Sequence, residues 1–215
     1  WPVITQLPSA QLDAATWEAA HRELVAFLRD LIRIPSINPP DPPGPELDAA
    51  HFIAGVLRAE GLNPEVIESA PGRGNVTVRL RGDGTGGDAL LLLSHLDVVP
   101  ANAADGWTHA PFAADIADGY VWGRGAVDMK QMVALETQVV VLLARRARTA
   151  GLDPARDPIT GLRRDVLYTC TADEEAGGRE GAGWLAEHRP DTLAAAGALN
   201  EAGGVSVEIG GRGFY

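Results

Sequence analysis

A run of apolar residues that ends in two ligand-type side chains is the feature that most constrains this chain. Residues 89–93 read ALLLL, and SHLD follows at 94–97. A short, continuously apolar run is typical of a strand that is covered on both faces of a parallel sheet. His95 and Asp97 would then lie at the carboxyl end of that strand, where open α/β sheets place their ligands.

The rest of the pattern alternates helices and strands. Apolar residues at three- and four-residue steps predict helices, whereas continuous or alternating apolar runs predict strands. The predicted helices cover 16–34, 46–60, 129–143 and 181–188, and the predicted strands cover 65–68, 75–81, 89–93, 112–116, 120–122 and 165–171. Pro35 ends the first helix, and a proline-rich stretch at 38–45 predicts an extended loop. This alternation predicts a layered α/β fold.

Charge and cysteine content exclude several classes of protein. The chain has 18 basic and 29 acidic residues and a formal net charge of −11, so we expect no nucleic-acid or membrane-surface partner. Cys170 is the only cysteine, which excludes an intrachain disulfide and a cysteine-only zinc site and is compatible with a reducing, cytoplasmic location. No apolar run approaches the roughly 20 residues that a membrane-spanning helix needs.

Acidic residues stand at three further element ends. Asp128 precedes the long apolar helix, an acidic triplet at 173–175 follows a predicted strand, and Glu201 follows a short apolar stretch. Taken singly, each has an ordinary explanation: a capping aspartate, a solvated acidic turn and a loop glutamate. His95 with Asp97 is, by itself, better explained as a structural histidine beside a turn aspartate.

Together, the four positions favour a metal site. Oxygen ligands with one imidazole suit zinc, manganese or cobalt better than a thiolate site would. An additional carboxylate beside such ligands could serve as the general base for a metal-activated water.

Four motifs resemble, in order, the motif series of one zinc-dependent metallopeptidase and deacylase family. They are HLDVVP at 95–100, GRGAVDMK at 123–130, DEEAGG at 173–178 and NE at 200–201. That family contains acetylornithine deacetylase, succinyl-diaminopimelate desuccinylase, aminoacylases, carnosine-type dipeptidases and bacterial glutamate carboxypeptidases. The resemblance implies a layered α/β/α zinc-peptidase-like catalytic domain with a mostly parallel mixed sheet. It also implies hydrolysis of amide bonds in small N-acyl amino acids or short peptides.

The resemblance implies a metal-binding role for each of four residues. His95 and Glu201 would share one zinc ion, Asp128 would bridge two zinc ions, and Glu175 would bind the second ion. Cobalt or manganese could replace zinc.

The resemblance assigns two residues to catalysis. Asp97 would orient His95, and Glu174 would act as the general base. Two departures from the family pattern, Gln131 and Ala202, stand where glycines are commoner and remove no ligand.

Family members extend well beyond 215 residues. We therefore expect residues 1–215 to be the N-terminal portion of the catalytic domain, without the lid or dimerisation domain and without the returning segment that supplies a last histidine ligand. A longer form would be a homodimer through that domain. One alternative is a truncated metal-binding fragment that catalyses nothing, and a weaker one is a related zinc aminopeptidase. The other histidines (His21, His51, His109 and His188) are expected to be surface or core residues.

Overall fold

A central sheet organises the molecule, for which a computed structural model describes residues 12–38, 46–201, 207–209 and 212–214. In chain order the strands are β1 (Glu65–Ala70), β2 (Arg73–Leu80), β3 (Leu90–His95), β4 (Asp115–Ala117), β5 (Tyr120–Trp122), β6 (Val166–Thr171), β7 (Gly197–Leu199), β8 (Val207–Ile209) and β9 (Arg212–Phe214). The five-stranded sheet has the order β1-β2-β6-β3-β7, whereas β4-β5 and β8-β9 form separate two-stranded pairs.

The direction of the strands confirms the predicted mostly parallel mixed sheet. Strands β6, β3 and β7 are parallel neighbours, and β2 is antiparallel to both β1 and β6. Four of the five strands therefore run in the same direction. Every residue of β6 is buried, as expected of a central strand with both faces covered.

Helices cover the sheet in layers, which confirms the predicted fold class. The helices are α1 (Ala14–Ile32), α2 (Glu46–Ala59), α3 (Lys130–Thr149) and α4 (Trp184–His188). The first three pack on one face, where Leu31, Ile53 and Val140 meet the β2 and β6 side chains in the main core. On the opposite face Leu91 and Leu167 pack against Leu193, which follows α4. None of the helices among the described residues is long and apolar enough to cross a membrane.

The helix termini refine the predicted boundaries. Helix α1 begins two residues earlier than predicted because Asp13 caps it, accepting a hydrogen bond from the Thr16 backbone N–H at 2.7 Å. Helix α3 continues to Thr149, so the prediction that it ends at 143 is wrong. The arginines that come after the apolar segment, such as Arg146, lie in the last turns of the helix, near the negative end of its dipole.

Two other predicted elements are wrong in detail. The first hairpin strand begins at Asp115 rather than at 112, and Asp118 and Gly119 form a two-residue turn with φ of 53° and 82°. The predicted helix at 181–188 is α-helical only from Trp184. Gly181 interrupts it with a non-helical backbone (φ −109°, ψ −111°), and only glycine fits there, because a Cβ would collide with the carbonyl oxygen of Ala172. Of the predicted loop at 38–45, only Asn38 lies within the described residues.

Candidate metal centre

His95 is the last residue of β3, and its ring faces a group of acidic side chains. The residue is 2% exposed. Its Nδ1 lies 3.0 Å from the backbone oxygen of Asp97 and 3.3 Å from the Asp97 carboxylate. These two contacts direct Nε2 to the other side, where the Asp128 carboxylate lies at 3.2 Å. This arrangement fits the role predicted for Asp97, which is to fix the orientation of the imidazole.

Asp128 comes from the loop that joins β5 to α3. Helix α3 begins at Lys130 after Met129, and no side chain caps it. The capping explanation for Asp128 is therefore wrong. Gly125 allows this loop to fold tightly, because it has φ of 83° and a Cβ there would lie 2.9 Å from Val98 and 3.0 Å from Lys130.

Glu174 and Glu175 follow β6, the parallel neighbour of β3. The Glu174 carboxylate lies 3.7 Å from His95 Nε2. The backbone N–H groups of both glutamates donate to the two oxygens of Asp97, at 3.1 Å and 3.0 Å. Asp97 therefore holds the imidazole and the glutamate turn together. The turn is solvated only in part, since Asp173, which begins it, is 5% exposed, whereas the Glu174 side chain is 49% exposed.

Glu201 follows β7 on the other side of β3, and its carboxylate lies 3.9 Å from His95 Nε2. The predicted ligands thus meet at one edge of the sheet. Two groups of potential ligand atoms, each within 4.8 Å of one another, share the histidine: one adds Asp128 and Glu175, and the other adds Glu174 and Glu201.

The charges at this site are unbalanced. Burial raises the pKa of Glu175, and the neighbouring Asp128 carboxylate raises it further. The pKa of Glu201 is raised by burial and by the same crowding. Burial lowers the pKa of the His95 imidazole, but the hydrogen bond to Asp97 and the surrounding carboxylates outweigh it and raise the pKa to about 9. Clustered carboxylates with such shifts are stabilised by a cation.

The donor set fits divalent metal ions. An imidazole nitrogen with carboxylate oxygens suits zinc, cobalt or manganese, as predicted. Each of the two groups, His95 with Asp128 and Glu175 and His95 with Glu174 and Glu201, could hold an ion. The assignment of each carboxylate to one ion, with Asp128 as the bridge, stays a prediction.

Four supporting residues lie behind the ligands and were not predicted from the sequence. Asn38 donates to Asp97, Arg73 pairs with Glu46, and the buried Lys130 amine donates to the backbone oxygens of Leu31 and Ile34. Lys130 does lie in the GRGAVDMK motif, so its place there was a signal that could have found it. The other three stand in no motif, and their partners are distant in sequence.

Comparison with known proteins agrees with this geometry. A model of the peptidase family M20/M25/M40 matches residues 91–211, which is more than half of the chain. The chain belongs to this family. The match includes the four segments that carry His95, Asp128, the glutamate pair and Glu201. The resemblance predicted from the motifs is thereby confirmed.

One curated relative of this chain is a desuccinylase. The chain is 36% identical over 152 residues to a succinyl-diaminopimelate desuccinylase of Methylorubrum extorquens, covering 70% of this chain and 35% of the relative. The chain thus spans about a third of the length of that relative.

Solved structures show the same fold. An M20 family metallo-carboxypeptidase from Sulfolobus solfataricus superposes with a TM-score of 0.65 at 21% identity, covering 85% of this chain and 38% of that one. A dinuclear metal-binding M20 peptidase from Bacillus subtilis gives a TM-score of 0.54 at 18% identity, with coverage of 85% and 43%. At these identities the likeness concerns the fold alone.

Proposed function

We propose that this chain is the N-terminal catalytic portion of a metal-dependent hydrolase that cleaves amide bonds of small N-acyl amino acids or short peptides. The observation that carries the proposal is the meeting of one imidazole and four carboxylates at one sheet edge, in two groups within 4.8 Å. Membership of the M20 family and the similarity to a desuccinylase support the reaction class.

The proposed mechanism assigns one task to each side chain. His95, Asp128, Glu175 and Glu201 would hold two divalent ions, with zinc as the expected metal, and these ions would polarise the scissile carbonyl and lower the pKa of the attacking water. Glu174 takes a proton from the attacking water on its carboxylate and passes it to the leaving amine nitrogen. Asp97 keeps Nδ1 of His95 engaged, so that Nε2 remains directed at the ligand group.

A longer form of the protein would complete the site. We propose that this form adds a lid or dimerisation domain and a returning segment with one more histidine. The support for a longer form is that the chain covers about a third of the curated relative. We propose that this form is a homodimer. The cytoplasmic location stays a prediction.

One observation favours a second candidate, a chain that binds metal without turnover. Among the described residues, the two ligand groups share the same imidazole, that of His95. A chain with this set could hold one ion firmly and the second weakly, and would then hydrolyse nothing.

Replacement of the bridging carboxylate tests the proposal. We expect Asp128→Asn to weaken Co²⁺ binding and to reduce hydrolysis of an N-succinyl amino acid by more than about 100-fold, since even supporting residues of metal sites reach such losses. Asp118→Asn in the β4–β5 turn is the matched control, because asparagine tolerates the positive φ there.

The outcomes separate the candidates. Unchanged hydrolysis in Asp128→Asn contradicts the proposed function. Stoichiometric Co²⁺ binding by the wild-type chain without turnover of N-acyl amino acids or dipeptides selects the second candidate.

A further inference from the structure

Asn38 lies between two buried carboxylates behind the metal centre. The residue is 0% exposed. Its side-chain Nδ2 donates to Asp97 at 2.8 Å and to Asp173 at 3.2 Å. An amide nitrogen has two hydrogens, so this single group satisfies both acceptors. We call this arrangement the Asn38 bridge.

Arg73 on β2 fixes the orientation of the bridge. Its guanidinium donates to the Asn38 side-chain oxygen at 3.0 Å and lies 3.5 Å from the Asp173 carboxylate. The reversed amide would direct its oxygen at two carboxylates and its nitrogen at a cation, so the observed orientation is strongly preferred. Arg73 also pairs with the fully buried Glu46 at 2.6 Å. The Asn38 bridge is therefore oriented by the Arg73 guanidinium, which the ion pair with Glu46 holds in place.

The bridge supports the turn that carries the proposed general base. Asp173 has a left-handed backbone with φ of 65°, an unfavourable conformation for a non-glycine residue. Its backbone N–H donates to Glu46 at 3.1 Å, and its carboxylate accepts from the Glu180 backbone N–H at 3.0 Å. The next two backbone N–H groups donate to Asp97. Asn38 therefore links the Asp97 carboxylate to the Asp173 carboxylate, and both of these carboxylates hold the turn.

We propose that Asn38, oriented by Arg73, is a positioning residue that sets the distance between His95 and the Glu174–Glu175 turn. The inference rests on the proposed function, because it concerns the same ligands. Without the bridge, two buried carboxylates would face each other without a shared donor and would separate. His95 contacts Asp97, and the two glutamates come directly after Asp173 in the chain, so this separation would move His95 away from the glutamates and widen the ligand group.

Two Asn38 variants and a control from the same segment test the bridge. Asn38→Ala removes the donor, and Asn38→Asp replaces the donor with an acceptor of the same shape. Ser36→Ala is the control: Ser36 is also fully buried, and its hydroxyl donates to the Leu96 backbone oxygen at 2.6 Å and to neither carboxylate. If the carboxylate added in Asn38→Asp prevents folding, Asn38→Ala alone is compared with the control.

Two measurements separate positioning from general stability. The first is the dissociation constant for Co²⁺ from visible absorption titration, and the second is hydrogen exchange of the Glu174 and Glu175 amides in the metal-free chain. We expect both Asn38 variants to bind Co²⁺ about 10- to 100-fold more weakly. We also expect faster exchange at these two amides, while the β3 and β6 amides exchange as in the wild type. Ser36→Ala should match the wild type in both measurements.

Equal Co²⁺ affinity in Asn38→Ala and Ser36→Ala would overturn the inference, as would an increase in exchange spread uniformly over the sheet. A wild-type chain that binds no Co²⁺ contradicts the proposed function instead. In that case the exchange measurement, made without metal, still decides whether Asn38 holds the turn.

Discussion

Replacing Arg73 with methionine should destabilise the protein strongly, in a manner that depends on pH. The substitution keeps most of the side-chain volume and removes the ion pair with Glu46 and the hydrogen bond to Asn38. Arg73 is 12% exposed and Glu46 0% exposed, so the pair is buried. Breaking a buried pair by removing one partner costs about 3–5 kcal/mol. Glu46 would retain one described hydrogen bond, from the Asp173 backbone N–H.

The pH dependence follows from the pKa of Glu46. Burial raises it from 4.5 to about 7, although Arg73 opposes the shift. The folded state therefore binds a proton more tightly than the unfolded state, and stability falls as the pH rises from 4.5 through 7. Removing Arg73 raises the pKa further, so the loss at pH 8 should exceed the loss at pH 5 by up to about 1.4 kcal/mol, because pH 8 lies about one unit above the wild-type pKa. At pH 5 the Glu46 carboxyl is protonated in the folded state of both proteins. The loss in unfolding free energy should then be about 1–2 kcal/mol, from the lost hydrogen bonds alone.

Urea unfolding in the presence of a chelator at pH 5 and pH 8 would measure these losses. Arg79→Met on the same strand is the control, since its pair with Asp165 is 41% and 30% exposed and should contribute less than about 1 kcal/mol. Glu46→Gln combined with Arg73→Met should recover part of the loss at pH 8. The reasoning is refuted if Arg73→Met is no worse than Arg79→Met, or if its loss is the same at both pH values.

Two further predictions concern the core and the helices. Burial raises the pKa of Glu136 from 4.5 to about 7, so its charged form destabilises the fold above that pH. Glu136→Gln should therefore stabilise the protein by about 1–3 kcal/mol at pH 8 and by little at pH 5 in thermal melts, and equal shifts at both would contradict this. Gly181→Ala should destabilise by at least about 1–3 kcal/mol because its Cβ would collide with the Ala172 oxygen. Gly55→Ala, in open space on α2, should stabilise by about 0.5–1 kcal/mol, and similar unfolding midpoints for the two variants would exclude the collision.

Most of the proposed ligands could be predicted because each lies close in sequence to the carboxyl end of its own strand. Each of His95, Glu175 and Glu201 stands at or just after the carboxyl end of a strand, and such ends share an edge whenever the strands are parallel neighbours. For His95 and Glu175, the predicted strands in a parallel sheet were therefore sufficient to bring the side chains to one edge. Glu201 follows β7, which was predicted only as a short apolar stretch. Asp128 could be predicted only from the GRGAVDMK motif, since its loop follows a hairpin rather than a strand of the main sheet.

The supporting residues could not be predicted in this way. Asn38, Glu46 and Arg73 come from a loop, a helix and an antiparallel strand, and each contacts residues far away in sequence. Asparagine before prolines suits an ordinary turn, and an arginine with a glutamate suits a surface pair. Their burial depends on how α2 packs on β2, which follows from three-dimensional contacts rather than from any periodicity. Gly181 is a similar case, because the Ala172 carbonyl that leaves no space for a Cβ there lies outside the helix, just after β6.

The distribution of ligands along the chain also constrains biosynthesis. His95 is translated about 100 residues before Glu201. At about 5–20 residues per second, the ribosome needs about 5–20 s to cover that interval. During this time the acidic turn of β6 can meet His95, but the β7 ligand does not yet exist. If the proposed ligands bind metal together, stable capture of the metal waits for the synthesis of Glu201, and the strands that precede it leave the ribosome before the proposed centre is complete.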